Sequence, residues 1–141
     1  LSFLPPGSIL TPHPKEFEQM AGKTSNDFQR NQLQRELSFK YSCYIVLKGA
    51  NTAITTPNGR CFFNTTGNPG MATGGSGDVL TGMITGILAQ HYSPVEACLL
   101  GVYLHGLAGD IAAEITGQEA LTASDIINCI GNAFLSLYGE L

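Results

Sequence analysis

Between Thr65 and Gly82 the chain reads TTGNPGMATGGSGDVLTG, with glycines at 67, 70, 74, 75, 77 and 82 and one carboxylate, Asp78, among them. Glycine backbone can wrap closely around a ligand, and the apolar run after Asp78 reads as a helix. Consecutive N–H groups at a helix start offer hydrogen-bond donors and a partial positive charge, which suits phosphate. Gly74, Gly75, Ser76 and Gly77 form the expected anion cradle. A Walker A loop would need Lys after its last glycine, but Ser76 follows Gly75, and no G-x-G-x-x-G opens here directly after a strand. The cradle belongs to neither of those classes. Asp78 has two possible tasks. It can cap the helix and complement its dipole. It can also act as a general base, taking a proton from a substrate hydroxyl while the neighbouring N–H groups hold the transferred phosphate.

Lys48-Gly49 directly follows the apolar run CYIVL, at the carboxyl end of a strand, where open α/β sheets bind ligands. Lys48 can approach a phosphate or ribose there, or be a solvated lysine at a strand end. His13, between Pro12 and Pro14 after the first strand, is a second candidate, or a loop histidine satisfied by backbone. His105 reads as a packed, hydrogen-bonded core histidine, with Asp110 as its polar partner or a surface carboxylate. His91, in the turn HYSP, reads as solvent-facing.

The elements that must carry these residues follow from local pattern. Ser8-Ile9-Leu10 reads as a short buried strand stopped by Thr11-Pro12, and Pro14 opens a helix that Gly22 ends. Thr24 or Ser25 could cap a second helix to about Tyr41, with Phe28, Leu33, Leu37 and Tyr41 on its apolar face. Cys43–Leu47 suits a strand buried on both faces, as in a parallel sheet. Thr52–Thr56 and Arg60–Asn64 flank Pro57-Asn58-Gly59, a hairpin signal. Three helices fill the rest: Asp78 to about Gln90, Pro94 to about Ile115, and one from Thr122 or Ser124 to the C-terminus. The middle one is apolar nearly all round, with Gly101, Gly106 and Gly109 permitting close backbone approach. This order predicts a layered α/β fold with a mixed sheet.

Composition narrows the classes. The 141 residues fit one domain, 13% are charged against a usual share of roughly 25%, and the net charge is −4. No Lys/Arg cluster exists, so a nucleic-acid partner is not expected. Cys43, Cys61, Cys98 and Cys129 are scattered without a CxxC pair, which reads as reduced thiols of a cytoplasmic core and argues against a disulfide framework or a zinc site. The longest apolar run noted, around Val79 to Ala89, is shorter than the roughly 20 residues of a membrane span, so no membrane role is expected. The chain starts with Leu in mid-pattern, and a preceding segment is expected.

Four stretches together, LTPHPKEFEQMAG (10–22), VLKGANTAI (46–54), TGNPGMATGGSGDVLTG (66–82) and YLHGLAGD (103–110), resemble the ADP-dependent NAD(P)H-hydrate dehydratase family, which is similar in fold to ribokinase. The resemblance covers nearly the whole chain. It implies a ribokinase-like layered α/β/α fold with a mixed, mainly parallel sheet, residues 1–141 being the C-terminal portion of a single dehydratase domain. The implied activity is a lyase reaction that repairs damaged cofactor. The S-epimer of hydrated NADH or NADPH is phosphorylated at the added hydroxyl using ADP, with Mg²⁺, and phosphate elimination restores NAD(P)H. Carried over by motif, Asp78 is the base and a substrate contact, and Gly77 contacts the nucleotide. Lys48, Gly49, Ala50, Asn51 and Thr52 line the nucleotide site, and His13 contacts the hydrated cofactor; no protein metal ligand is implied. The family forms homo-oligomers, commonly tetramers, and is often fused to an NAD(P)H-hydrate epimerase. The alternatives are a ribokinase-like kinase acting on a vitamin precursor or sugar alcohol, and a nucleotide-binding fragment without activity.

Overall fold

In the computed structural model, which describes residues 1–139, the chain divides into two compact units, Leu1–Asn64 and Thr65 onward. The first begins with strand β1 (Ile9–Leu10), ended by Pro12, and passes through helices α1 (Pro14–Ala21) and α2 (Asp27–Lys40). It then forms strands β2 (Tyr44–Leu47), β3 (Ala53–Thr55) and β4 (Cys61–Phe63). The strands lie in chain order, β1 parallel to β2 and the next two pairs antiparallel. The sheet is mixed, as expected, but parallel pairing does not dominate these four strands. The reason is local: Pro57-Asn58-Gly59, with Gly59 at φ 82°, turns β3 straight back onto β4.

Cys43, Ile45 and Leu47 point into one core with Phe17 of α1, while Leu10, Met20, Leu33, Leu37 and Tyr41 pack around it. Val46 and Ile54, paired across β2 and β3, are buried as well, so this part of the sheet is covered on both faces. The α2 face differs from the expectation in part. Phe28 is exposed, whereas Gln34 and Ser38 are fully buried. Their partners explain this: Gln34 Nε2 donates to the carbonyls of Ile45 and Ala53, at 2.9 Å each, and Ser38 Oγ lies 2.6 Å from Thr55 Oγ1. Polar groups bonded in this way can replace apolar ones in a core. The cap of α2 is Asn26, not Thr24 or Ser25; its side chain accepts from the Gln29 N–H at 2.9 Å.

The second unit holds a 3₁₀ turn (Pro69–Met71) and helices α3 (Ser76–Ala89), α4 (Pro94–Thr116) and α5 (Ala123–Ser136). Ser93 with Glu96, and Thr122 with Asp125, form capping boxes that start α4 and α5. The described part of α5 stops at Ser136, short of the C-terminus; the end of the expected helix, residues 140–141, lies outside the described residues. Leu104, Ala108 and Ala112 of α4 form the core with Leu121 and with Ile126, Cys129 and Ala133 of α5. The 23 residues of α4, with a mean hydropathy of 1.3 over its most apolar window, meet the length and composition of a membrane span, correcting the shorter estimate. Its place in this core accounts for its apolarity without a bilayer. A Cβ at Gly101 would stand 2.7 Å from Ile84 Cγ1, and those at Gly106 and Gly109 would overlap Thr66 and Met71, so these glycines do allow close approach. All four cysteines are free, and burial pushes the Cys98 thiol up to about 12.

Candidate functional site

The cap of α3 is Gly75, in the left-handed conformation (φ 89°, ψ −15°), and no side chain caps this helix. Ser76 is therefore its first residue and Asp78 its third, two residues later in the helix than a start at Asp78. Ser76 N–H donates to the Thr73 carbonyl at 3.4 Å, and the Asp78 and Val79 N–H groups donate to the Gly75 carbonyl at 3.0 and 3.1 Å. The N–H groups of Gly74, Gly75 and Gly77 have no acceptor among the described residues. Gly74 and Gly75 are exposed, and Ser76 is buried. This is a helix N-terminus with three free donors, the geometry an anion occupies. The Asp78 carboxylate is exposed and has no hydrogen bond or ion pair among the described residues. It is not tied up as a cap, though its charge complements the dipole.

Both ends of the glycine-rich segment are held by α4. At the near end, Asp110 Oδ2 accepts from the Gly67 N–H at 2.8 Å and Oδ1 from Asn68 Nδ2 at 2.9 Å. Asn68 Nδ2 also donates to the Gly109 carbonyl at 3.0 Å, and its Oδ1 accepts from the Gly70 N–H at 3.1 Å. Thr66 Oγ1 donates to the Tyr103 carbonyl at 2.8 Å. At the far end, His105 Nε2 lies 3.0 Å from the Ser76 carbonyl and 3.4 Å from Ser76 Oγ. A carbonyl only accepts, so Nε2 carries a proton. His105 is buried and bonded, as expected, but its partner is Ser76, not Asp110. Burial holds the imidazole below its ordinary value, with the bond to Ser76 opposing the shift. His91 is exposed, at φ 68°.

The other expected residues belong to the first unit. Lys48 leaves β2 with its N–H donating to the Pro12 carbonyl at 2.9 Å, and Nζ lies 3.9 Å from Glu16 Oε2. Gly49, Ala50 and Asn51 form an exposed turn into β3, closed by Thr52 Oγ1, which donates to the Gly49 carbonyl at 3.2 Å. His13 is the cap of α1. Its Nδ1 accepts from the Glu16 N–H at 3.2 Å, and its own N–H donates to Glu16 Oε2 at 2.7 Å. His13 Nε2 lies 3.4 Å from Glu16 Oε1, so Glu16 links His13 and Lys48. The His13 backbone N–H, with smaller contributions from the His13 ring and Lys48, holds the Glu16 carboxyl below its usual range. Glu16, Asn68 and the loop contacts of Asp110 are the features that residue-by-residue reading missed. The Glu three residues after His13 is a capping-box spacing, and Asn before Pro-Gly is a turn signal; either could have pointed to them. Among the described residues, no group of three or more His, Cys, Asp or Glu could hold a metal ion.

A mixed sheet with flanking helices and a glycine cradle at a helix start is the architecture of the ribokinase-like class. A solved ribokinase-like superfamily protein from Enterococcus faecalis superposes with a TM-score of 0.75 at 34% identity, over 92% of this chain and 44% of its own. Residues 6–132 match the carbohydrate-kinase-like family model described as NAD(P)H-hydrate dehydratase, and the chain belongs to that family. It is 45% identical, over 132 residues and 92% of its length, to a bifunctional NAD(P)H-hydrate repair enzyme of Thermofilum pendens, covering 25% of that protein. The ADP/ATP-dependent NAD(P)H-hydrate dehydratase of Bacillus subtilis, co-crystallised with ATP and Mg²⁺, superposes with a TM-score of 0.85 at 39% identity. That match covers 92% of this chain and 48% of the other, so the chain spans about a quarter to a half of the relatives it matches.

Proposed function

We propose that this chain is the C-terminal portion of a single dehydratase domain, and that the whole protein converts the S-epimer of hydrated NADH or NADPH back to NAD(P)H. The observation that carries this is the head of α3: three unpaired N–H groups, of Gly74, Gly75 and Gly77, beside the unpaired carboxylate of Asp78. In this reading the N–H groups hold the terminal phosphate of ADP. Asp78 takes the proton from the hydroxyl of the hydrated nicotinamide ring as its oxygen bonds to that phosphorus, and AMP leaves. Inorganic phosphate then departs with the electrons of the ester C–O bond, a proton leaves the adjacent carbon, and the ring double bond is restored. Lys48, Gly49, Ala50, Asn51 and Thr52 serve the nucleotide, and His13 serves the hydrated cofactor.

Family membership supports the nucleotide requirement. Mg²⁺ takes most of its ligands from phosphates and water, so the nucleotide would supply most of its shell. Magnesium would neutralise charge on the phosphates. A cytoplasmic homo-oligomer working beside an epimerase activity completes the proposal.

The test is a substrate screen on the full-length protein. With ADP and hydrated NADH, the absorbance of intact NADH should return. Phosphorylation of thiazole, pyrimidine or sugar alcohols without cofactor repair would show a small-molecule kinase instead. Nucleotide binding without either reaction would leave only a binding module.

A further inference from the structure

The tip of the glycine-rich segment, Ala72 to Gly75, is largely exposed; the Ala72 N–H donates to the Pro69 carbonyl, and the Thr73 and Gly75 carbonyls accept from the start of α3. The flanks of this tip are held by one side of α4. Residues 105 and 110 are five apart, about 7.5 Å along a helix axis, and between them Gly106 and Gly109 let Thr66 and Met71 lie against the helix backbone. Beyond this close approach stand two polar anchors. Asp110 uses both carboxylate oxygens, on the Gly67 N–H and on Asn68 Nδ2. His105 reaches the Ser76 carbonyl, one residue after the cap and two before Asp78.

We infer that His105 and Asp110 are positioning residues that hold the phosphate cradle in place, Asp110 at the turn where the glycine-rich segment begins and His105 at Ser76, where the cradle passes into α3. Donors that stabilise developing charge must be set before the reaction, to within about 0.5 Å. Neither side chain needs to touch substrate for this. An isolated structural role would be served by either anchor packing on α4 alone. The two bonds instead fix the backbone that carries the donors and the carboxylate. The inference rests on the phosphate reading of the segment, and its test separates the two.

The experiment uses the full-length protein and four variants: Asp110→Asn, Asp110→Ala, His105→Gln and His105→Phe. A glutamine amide keeps a donor near the position of Nε2, whereas phenylalanine keeps the volume and loses the donor. His105→Phe and Asp110→Ala should lower kcat by about 10- to 100-fold, as displacement by about 1 Å does, and shift the Kd for ADP by less. His105→Gln should recover most of kcat, and Asp110→Asn should fall between wild type and Asp110→Ala. Amide exchange of residues 67–77 should quicken about tenfold or more in Asp110→Ala and His105→Phe while α5 stays protected. That exchange readout needs no turnover, so it decides on the anchors even where the wild-type protein fails as a dehydratase. Unchanged exchange over residues 67–77 in both variants would overturn the inference. So would a His105→Gln protein as impaired in kcat as His105→Phe.

Discussion

Gly106→Ala measures how tightly the loop start is pressed onto α4. A Cβ at Gly106 would stand 2.7 Å from the Thr66 carbonyl carbon and 2.8 Å from its oxygen, and would overlap Thr66 Oγ1. Ordinary Cβ contacts begin near 3.4 Å, so Thr66 must retreat by roughly 0.7 Å. The obstacle is backbone and cannot rotate aside. Overpacking of this kind costs about 1–3 kcal/mol. Loss of the 2.8 Å bond from Thr66 Oγ1 to the Tyr103 carbonyl adds about 1 kcal/mol. Alanine returns about 1 kcal/mol of helix propensity over glycine. The net destabilisation is about 1–3 kcal/mol. Gly86→Ala, in α3 with nothing within 4 Å of the new Cβ, is the control and should stabilise by about 0.5–1 kcal/mol. Urea midpoints of the two variants and wild type give the comparison, with an expected gap of about 1.5–4 kcal/mol. Gly109→Ala should fall between them, because the atoms it meets belong to the flexible Met71 side chain. A Gly106→Ala protein as stable as Gly86→Ala would refute the reasoning.

Two further outcomes are expected, one from the proposed nucleotide role of Lys48 and one from the burial of His105. Lys48→Ala should raise the Kd for ADP by about 10- to 100-fold, the worth of a charged hydrogen bond, with a smaller fall in maximal rate. Its 3.9 Å ion pair with Glu16 is solvated and weak, so stability should barely move; unchanged ADP affinity by calorimetry would remove Lys48 from the site. The second outcome concerns pH. Burial holds His105 below its ordinary value near 6.5, so the unfolded chain takes up a proton first as pH falls. Its contribution is fully present above about pH 6.5 and is lost as pH falls from there through the folded value. The loss reaches at most about 1.4 kcal/mol by about pH 5.5. The lowered carboxyls of Glu16, Glu96 and Asp125 act below their ordinary values of 4.5, 4.5 and 3.8, outside this window. Urea midpoints at about pH 7.5 and 5.5 should converge in His105→Gln relative to wild type, and identical pH dependence would contradict the assignment.

Features signalled by local chemistry were legible in the sequence. Proline at the start of α1 and α4, the apolar run of β2 and the Asn-Gly hairpin all appear where their residues place them. The glycine-rich segment was readable as a cradle because free N–H groups at a helix start follow from backbone geometry. What was not legible depended on partners distant in the chain. The inward face of α2 carries Gln34 and Ser38 because carbonyls and a hydroxyl of the sheet receive them. Periodicity cannot show that. Asp110 sits 43 residues from Gly67, whose N–H it accepts, and only the packing of α4 brings the two together. The task of Asp78 was ambiguous for a similar reason. Cap and base share one residue type; Gly75 in the cap position removes the cap alone.

The central claim is that the free carboxylate at the head of α3 removes the substrate proton. Turnover of hydrated NADH by full-length Asp78→Asn, measured beside its ADP affinity, tests it most directly. The substitution keeps shape and removes the base. The account predicts a loss of about 10²- to 10⁴-fold in kcat with the Kd for ADP nearly unchanged. Turnover within a few-fold of wild type would return Asp78 to the role of a charge that merely complements the helix dipole.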